Sequence, residues 1–239
     1  MTEKNIPVNG IGLVKFKKNK RSKALTISIR PLKGITVNMP FYLPFSEALR
    51  IVEFRKEWIE KNLPKIKKIE EKVTLFSETT TFKTRTRTLN IVSYNGDKFT
   101  AHLTHNSIDL KYPVAFNVNQ TNVQELIRKS ILWALKNEAK EYLPQRLNTL
   151  SHKHGFNYNK LFLKNNKTNW GSCSGKNNIN LNIHLIRLPD YLIDYVIIHE
   201  LCHTIEKNHS NQFWMLMARF IVNPKQLSKE LRTYSTHIY

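Results

Sequence analysis

The chain has 239 residues, enough for one large or two modest domains, and is 41% hydrophobic with 12 Phe, 9 Tyr and 4 Trp, which excludes an intrinsically disordered chain. Its 38 Lys and Arg against 18 Asp and Glu give a net charge of +20, so either attraction to polyanions or a merely solvated basic surface follows, whatever the fold. Two cysteines, Cys173 and Cys202, exclude a disulfide framework; the first ten residues hold no apolar core and no run approaches membrane-spanning length, so a soluble cytoplasmic protein with no membrane partner is expected.

Residues 13–16, 24–30 (Leu25, Ile27 and Ile29 alternating) and 35–37 read as short strands separated by Lys-Asn-Lys and Lys-Gly turns. Lys15, Lys17, Lys18, Lys20, Arg21 and Lys23 crowd the first expected hairpin. They serve either as a phosphate-facing patch or as a charged edge that discourages aggregation. Ser46 opens an expected helix of about five turns. Its core stripe is Leu49, Val52, Ile59 and Leu63, with Trp58 anchoring it on the sheet and residues 65–72 a charged exit.

Strands return over 74–111, at 74–76, 86–92, 99–103 and 108–110, with Asn95-Gly96 a hairpin signal. Lys83-Thr84-Arg85-Thr86-Arg87 alternates as an exposed strand face would, and His102 and His105 read as surface residues. A boundary is expected near 113–120, dividing a basic β-rich N-terminal domain with one long helix, 1–112, from a second domain, 113–239. Thr121 is expected to cap a helix through about residue 148, with Val123, Ile127, Ile131, Leu135, Tyr142 and Leu143 at helical spacing. His152 and His154 follow, spaced to share one face of a strand. Two or three short strands are expected over 160–183, and Phe213, Trp214, Leu216, Met217, Phe220 and Ile221 mark an amphipathic helix near the end. No internal repeat is visible.

Between these lies a helix expected over 189–207. Pro189 suits its first turn, and Asp190 and Asp194 suit its positive end. Ile193, Ile197, Leu201 and Ile205 form one apolar stripe while Leu192 and Val196 lie on the side of His199, so the helix is apolar on both sides and buried. In its middle stand His199-Glu200-Leu201-Cys202-His203. Histidines four apart sit about 40° apart around the axis and can bind one ion. Glu200, one step round, reaches a water there as general base without ligating. Ordinary core histidines are the alternative, but two histidines and a glutamate buried mid-helix need something to offset desolvation, and a metal does so.

His209 is the expected third ligand, if Lys207-Asn208 turns the chain back with Asn in the left-handed region and Ser210 caps the next helix. Glu206, seven residues after His199 on the same face, competes with it. An all-imidazole site suits zinc and leaves a position for water. Beside it, Trp170-Gly171-Ser172-Cys173-Ser174 reads in two ways. It is a strand that binds an extended peptide, with Gly171 allowing close backbone approach and Ser172 offering a hydroxyl, or a tight bulge over a buried Trp170. Cys173 as a fourth ligand would close the site against catalysis.

Together, residues 170–174, Leu188-Pro189, the His199–His203 motif and Asn208-His209-Ser210 with Phe213-Trp214 resemble the YgjP-type metallopeptidase family, related to the SprT-like and WLM zincins. The basic hairpin, the strand ending in Pro40 and the helix carrying Trp58-Ile59 fit that family's layout more diffusely. The resemblance implies an α+β chain whose β-rich N-terminal part precedes a zincin-like helical metallopeptidase domain with a small sheet. It also implies His199, His203 and His209 as Zn2+ ligands and Glu200 as catalytic base. One position departs: the family usually has Arg before Trp-Gly-Ser-Cys, and this chain has Asn169.

The expected function is zinc-dependent hydrolysis of a peptide or protein substrate, with Trp170, Gly171 and Ser172 facing it. Two alternatives stay open. A metal-dependent nucleotide (NTP) pyrophosphohydrolase would use the lysines on phosphates, without a P-loop or a carboxylate cluster for magnesium in the sequence. A nucleic-acid-associated protease would be recruited by the basic N-terminal half, on charge alone. The oligomeric state is left open.

Overall fold

The computed structural model describes residues 3–30, 34–70 and 74–236, with the backbone alone over 67–70. Two compact units divide it, Met1–Thr74 and Leu75–Ile238. The boundary expected near residue 113 therefore falls inside the second unit. The architecture is α+β, with three small mixed sheets and six α-helices among the described residues.

The first unit contains β1 (Glu3–Val8), β2 (Gly12–Asn19), β3 (Thr26–Arg30), β4 (Gly34–Pro40), α1 (Phe45–Phe54) and α2 (Lys56–Glu70). The sheet order is β1-β2-β4-β3, with β2 parallel to β4 and the outer pairs antiparallel. Strand period places Val14 and Phe16 of β2 and Val37 and Met39 of β4 on one buried face, under Ala48, Val52 and Ile59 of the helices. Three expectations are corrected here. β1 was not foreseen, and its pairing makes β2 internal, so the lysines of β2 do not guard an edge. The strands β2 and β3 do not pair as a hairpin, because β4 inserts between them. The expected single helix is two, meeting at Arg55, and the turn between them leaves Trp58 47% exposed while Ile59 takes the buried position. The end of the expected charged exit, residues 71–72, lies outside the described residues.

The second unit contains β5 (Thr88–Tyr94), β6 (Thr100–Leu103), β7 (Ser107–Pro113), α3 (Thr121–His154), β8 (Leu161–Lys164), β9 (Gly171–Cys173), β10 (Ile179–Asn182), a 3-10 turn (Ile183–Arg187), α4 (Asp190–Cys202), α5 (Asn211–Ala218) and α6 (Pro224–Leu231). Its sheets are ordered β5-β7-β6 and β8-β10-β9. In each, as in β2-β4-β3, the third strand lies between the other two, parallel to the first and antiparallel to the second, and leads towards a helix. The repeat is one of topology, which no sequence period records. It also explains why Asn95-Gly96 does not close a hairpin: β5 and β6 flank β7 rather than each other.

Helix α3 organises this unit. Its buried residues Val123, Ile127, Ile131, Leu135, Ala139, Leu143 and Leu147 recur every fourth position. Each such step overshoots a full turn by about 40°, so the stripe winds about 240° around the axis. The N-terminal half consequently packs on β5–β7 and the C-terminal half on β10 and α4. The helix runs past residue 148 to His154 and ends at Gly155 with φ 71°, so His152 and His154 occupy its last turn rather than a strand. Gln120, not Thr121, is the N-cap. Residues 74–76 form no strand; instead the Gln124 amide receives the Phe76 N–H (3.1 Å) and donates to its carbonyl (2.6 Å), standing in for a partner strand. The expected exposed strand at 83–87 wraps a buried carboxylate: Glu138 accepts from the Thr84 hydroxyl (2.6 Å), the Arg85 N–H (3.1 Å), the Thr86 hydroxyl (2.8 Å) and the buried Arg87 guanidinium (3.0 Å). No described helix is long and apolar enough to cross a membrane.

Candidate metal centre

Helix α4 carries the site and is held at its start by charge. Arg85 forks onto Asp190 (2.6 and 3.1 Å) while its guanidinium lies 3.9 Å over the ring of Tyr142. Arg146 donates to Asp194 at 2.6 Å. The two acids that the sequence assigns to the helix dipole thus also tie α4 to α3. Beyond them Leu192, Ile193, Val196, Ile197 and Leu201 are buried as their spacing requires, whereas Ile205 is 59% exposed because the helix ends at Cys202, with His203 as its C-cap.

The chain reverses over 203–210. The Asn208 backbone keeps a negative φ, since Asn177 and Asn223 are the described non-glycine residues in the left-handed region. The turn is instead closed by Thr204 N–H to Leu201 and Ile205 and Glu206 N–H to Cys202, and it brings His209 back over the helix. Ser210 caps α5, accepting from the Phe213 N–H as expected. The Lys207 ammonium donates to the Asn177 side chain, tying this loop to the β9–β10 turn.

His199, His203 and His209 converge. His209 Nε2 lies 2.9 Å from His199 Nε2 and 3.3 Å from His203 Nε2. All three offer one ligand atom within 4.8 Å of the others, and Glu206 and Cys173 are not in the group. Glu206 has a different part: its carbonyl receives the His203 Nδ1–H at 2.9 Å, which leaves a lone pair on Nε2 facing the other rings. His199 Nδ1 is buried without a partner among the described residues. Burial and the two neighbouring imidazoles push the His199 imidazolium down to about 3, and burial lowers that of His203. Three Nε2 atoms that face one another, one of them on a ring that donates its N–H elsewhere, lack donors for all their lone pairs, and a cation there would satisfy them; the residues fit a metal.

The rings rest on Phe213 of α5, which is fully buried. Its centroid stands 4.9, 4.5 and 4.8 Å from those of His199, His203 and His209, nearly parallel to His203 at 24°. The helical period marks Phe213 as core, but nothing in it reveals this platform.

Glu200 is 5% exposed, and burial pushes its carboxyl up to about 8. It lines one cavity with His199, Tyr195, Asn169, Trp170 and Gly171. A β-carbon on Gly171 would meet Glu200, so the close approach foreseen for residue 171 is made by this carboxylate. Ser172 is not brought to the cavity: its hydroxyl receives the Asn180 amide at 3.1 Å across to β10. The loop before β9 is fixed by buried Asn182, whose amide donates to the carbonyls of Asn166 (2.7 Å) and Asn169 (2.9 Å) and whose N–H bonds Trp170. Asn182, Tyr195 and Phe213 are site residues that sequence reasoning missed; each looks like an ordinary strand or core position until the chain is folded.

No curated protein matches the chain. A solved structure, the metallopeptidase zymogen abylysin of Pyrococcus abyssi, is 21% identical, covers 38% of this chain and 91% of its own, and superposes with a TM-score of 0.35. The family model described as the YgjP-like metallopeptidase domain matches residues 23–234, nearly the whole length and both units, and the chain belongs to that family of metallopeptidases.

Proposed function

We propose that this chain hydrolyses peptide bonds with one Zn2+ held by His199, His203 and His209, and that Glu200 is its general base. The observation behind the reading is the convergence of three imidazole Nε2 atoms, one of them on His199, which lines a cavity together with the buried carboxylate of Glu200. Zinc bound there supplies a Lewis acid and brings the pKa of water toward neutrality. Glu200, shielded by the Gly171 backbone, takes a proton from the attacking water at its carboxylate and hands it to the departing amine. The Trp170 ring walls the cavity. The outer edge of β9, whose one partner strand among the described residues is β10, offers the backbone N–H and C=O groups of Gly171 and Cys173 to an extended peptide, while the Ser172 backbone is turned to Asn180 of β10.

Family membership supports peptide or protein substrates and does not favour the nucleotide alternative. A polyanion partner for the basic first unit still rests on charge alone. Metal analysis tests the assignment: the purified chain should hold about one zinc, as a three-histidine site does. His209→Ala should release it, and a retained ion would refute that ligand. Glu200→Gln should keep zinc while peptide hydrolysis falls about 10²- to 10⁴-fold; undiminished hydrolysis would refute the base.

A further inference from the structure

The cavity holding His199 and Glu200 has a neighbour. A second, larger cavity of about 460 Å³ adjoins it, sharing Trp170, Ser228 and Leu231 in its wall and adding Thr168, Arg232 and Tyr234. Helix α6, unforeseen in the sequence, supplies Ser228 and Leu231, and Arg232 is its C-cap. Arg146 and Arg85 are committed to Asp194 and Asp190, and Arg87 to Glu138. Arg232 is exposed and has no acidic partner among the described residues. Tyr195 lines the first cavity beside Ser228 and Leu231, and its ring lies 5.9 Å from that of His199. An uncommitted guanidinium therefore lines the cavity next to the one at the candidate metal centre, across the shared wall of Trp170, Ser228 and Leu231.

Strand direction says which part of a substrate would reach it. A peptide added antiparallel to β9 runs from Cys173 towards Gly171 and leaves past Trp170. Glu200 sits against Gly171, so whatever passes Trp170 follows the cleaved bond. Trp170, Leu231 and Tyr234 give that segment apolar walls for its methylenes, and Arg232 a forked donor for a carboxylate.

Building on the peptidase reading above, we propose that this cavity receives the residue following the cleaved bond and that Arg232 selects a carboxylate there, either an acidic side chain or the end of the substrate chain. The basic chain then prefers acidic peptides through one guanidinium rather than through its overall charge.

The zinc-loaded full chain is assayed with matched fluorogenic peptides bearing Glu, Gln or Lys after the cleaved bond, each ending in a free acid or an amide. The expected kcat/KM preference for Glu over Gln is about tenfold, the scale of a hydrogen bond to a charged group. Arg232→Gln should bring the ratio close to one, and Arg232→Glu should turn the preference to Lys. Preference that follows the free terminus instead of the side chain identifies the chain end as the source of the carboxylate. A ratio unchanged in Arg232→Gln overturns the proposal.

A second measurement uses Glu200→Gln protein and reads binding of the same peptides by fluorescence anisotropy. Arg232-dependent binding of the acidic peptides without cleavage by the wild type keeps the carboxylate site and sinks the peptidase reading. Cleavage indifferent to Arg232 does the reverse, and neither cleavage nor Arg232-dependent binding sinks both.

Discussion

Gly171 and Glu200 compete for the same space: a β-carbon on Gly171 would stand 2.6 Å from Glu200 Oε1 and 2.7 Å from its Cγ. A backbone strand and a buried carboxylate are thereby held in contact, with the strand shielding the acid from water. The requirement for glycine at 171 is steric, since its backbone lies outside the left-handed region.

Gly171→Ala should accordingly push Glu200 aside while leaving the three imidazoles in place. Peptide hydrolysis should fall at least about tenfold, with overpacking costing about 1–3 kcal/mol of stability. Zinc content and kcat, measured on the same preparation, check this; an unchanged kcat would mean that the carboxylate position is not critical.

The Phe213 platform makes a separate claim. Phe213→Leu keeps an apolar side chain but removes the flat surface against which all three rings pack. Zinc affinity should drop about 10- to 100-fold, as when the supports of metal ligands are removed, with the fold retained. Chelator competition alongside circular dichroism separates the two effects.

Glu138 is 2% exposed and accepts hydrogen bonds from Thr84, Arg85, Thr86 and Arg87. Glu138→Ala strands the buried Arg87 guanidinium and should destabilise by about 3–5 kcal/mol. Urea titration of the full chain, followed by tryptophan fluorescence, reads the loss. A shift within error would show that water replaces the carboxylate freely.

The fork from Arg85 holds the Asp190 carboxyl below its usual 3.8. A carboxylate depressed on folding contributes stability above its unfolded pKa, and that contribution vanishes as pH falls through the folded value. Asp190→Asn should therefore be less stable than wild type near neutrality and indistinguishable from it once pH drops well below 3.8. Asp190 is exposed, so the neutral-pH difference should stay under about 1 kcal/mol. Thermal unfolding of both proteins across this range tests the sign.

The amino-acid sequence by itself determined which residues meet at the candidate site and the local form of most elements. The histidine pair and Glu200 were legible because a helix of 3.6 residues per turn converts spacing into direction without outside help. The Ser210 cap and the strands over 160–183 were legible for the same reason: each depends on neighbours in the chain. Tertiary structure alone decided what depends on partners distant in sequence. Strand pairing inserts β4 between β2 and β3 and β7 between β5 and β6, which no turn signal announces. Gln124, lying 48 residues from Phe76, replaces a strand partner for it. The Phe213 platform, the pressure of Gly171 on Glu200 and the meeting of Arg232 with Thr168 and Trp170 around one cavity likewise join segments whose separation along the chain leaves no periodic trace.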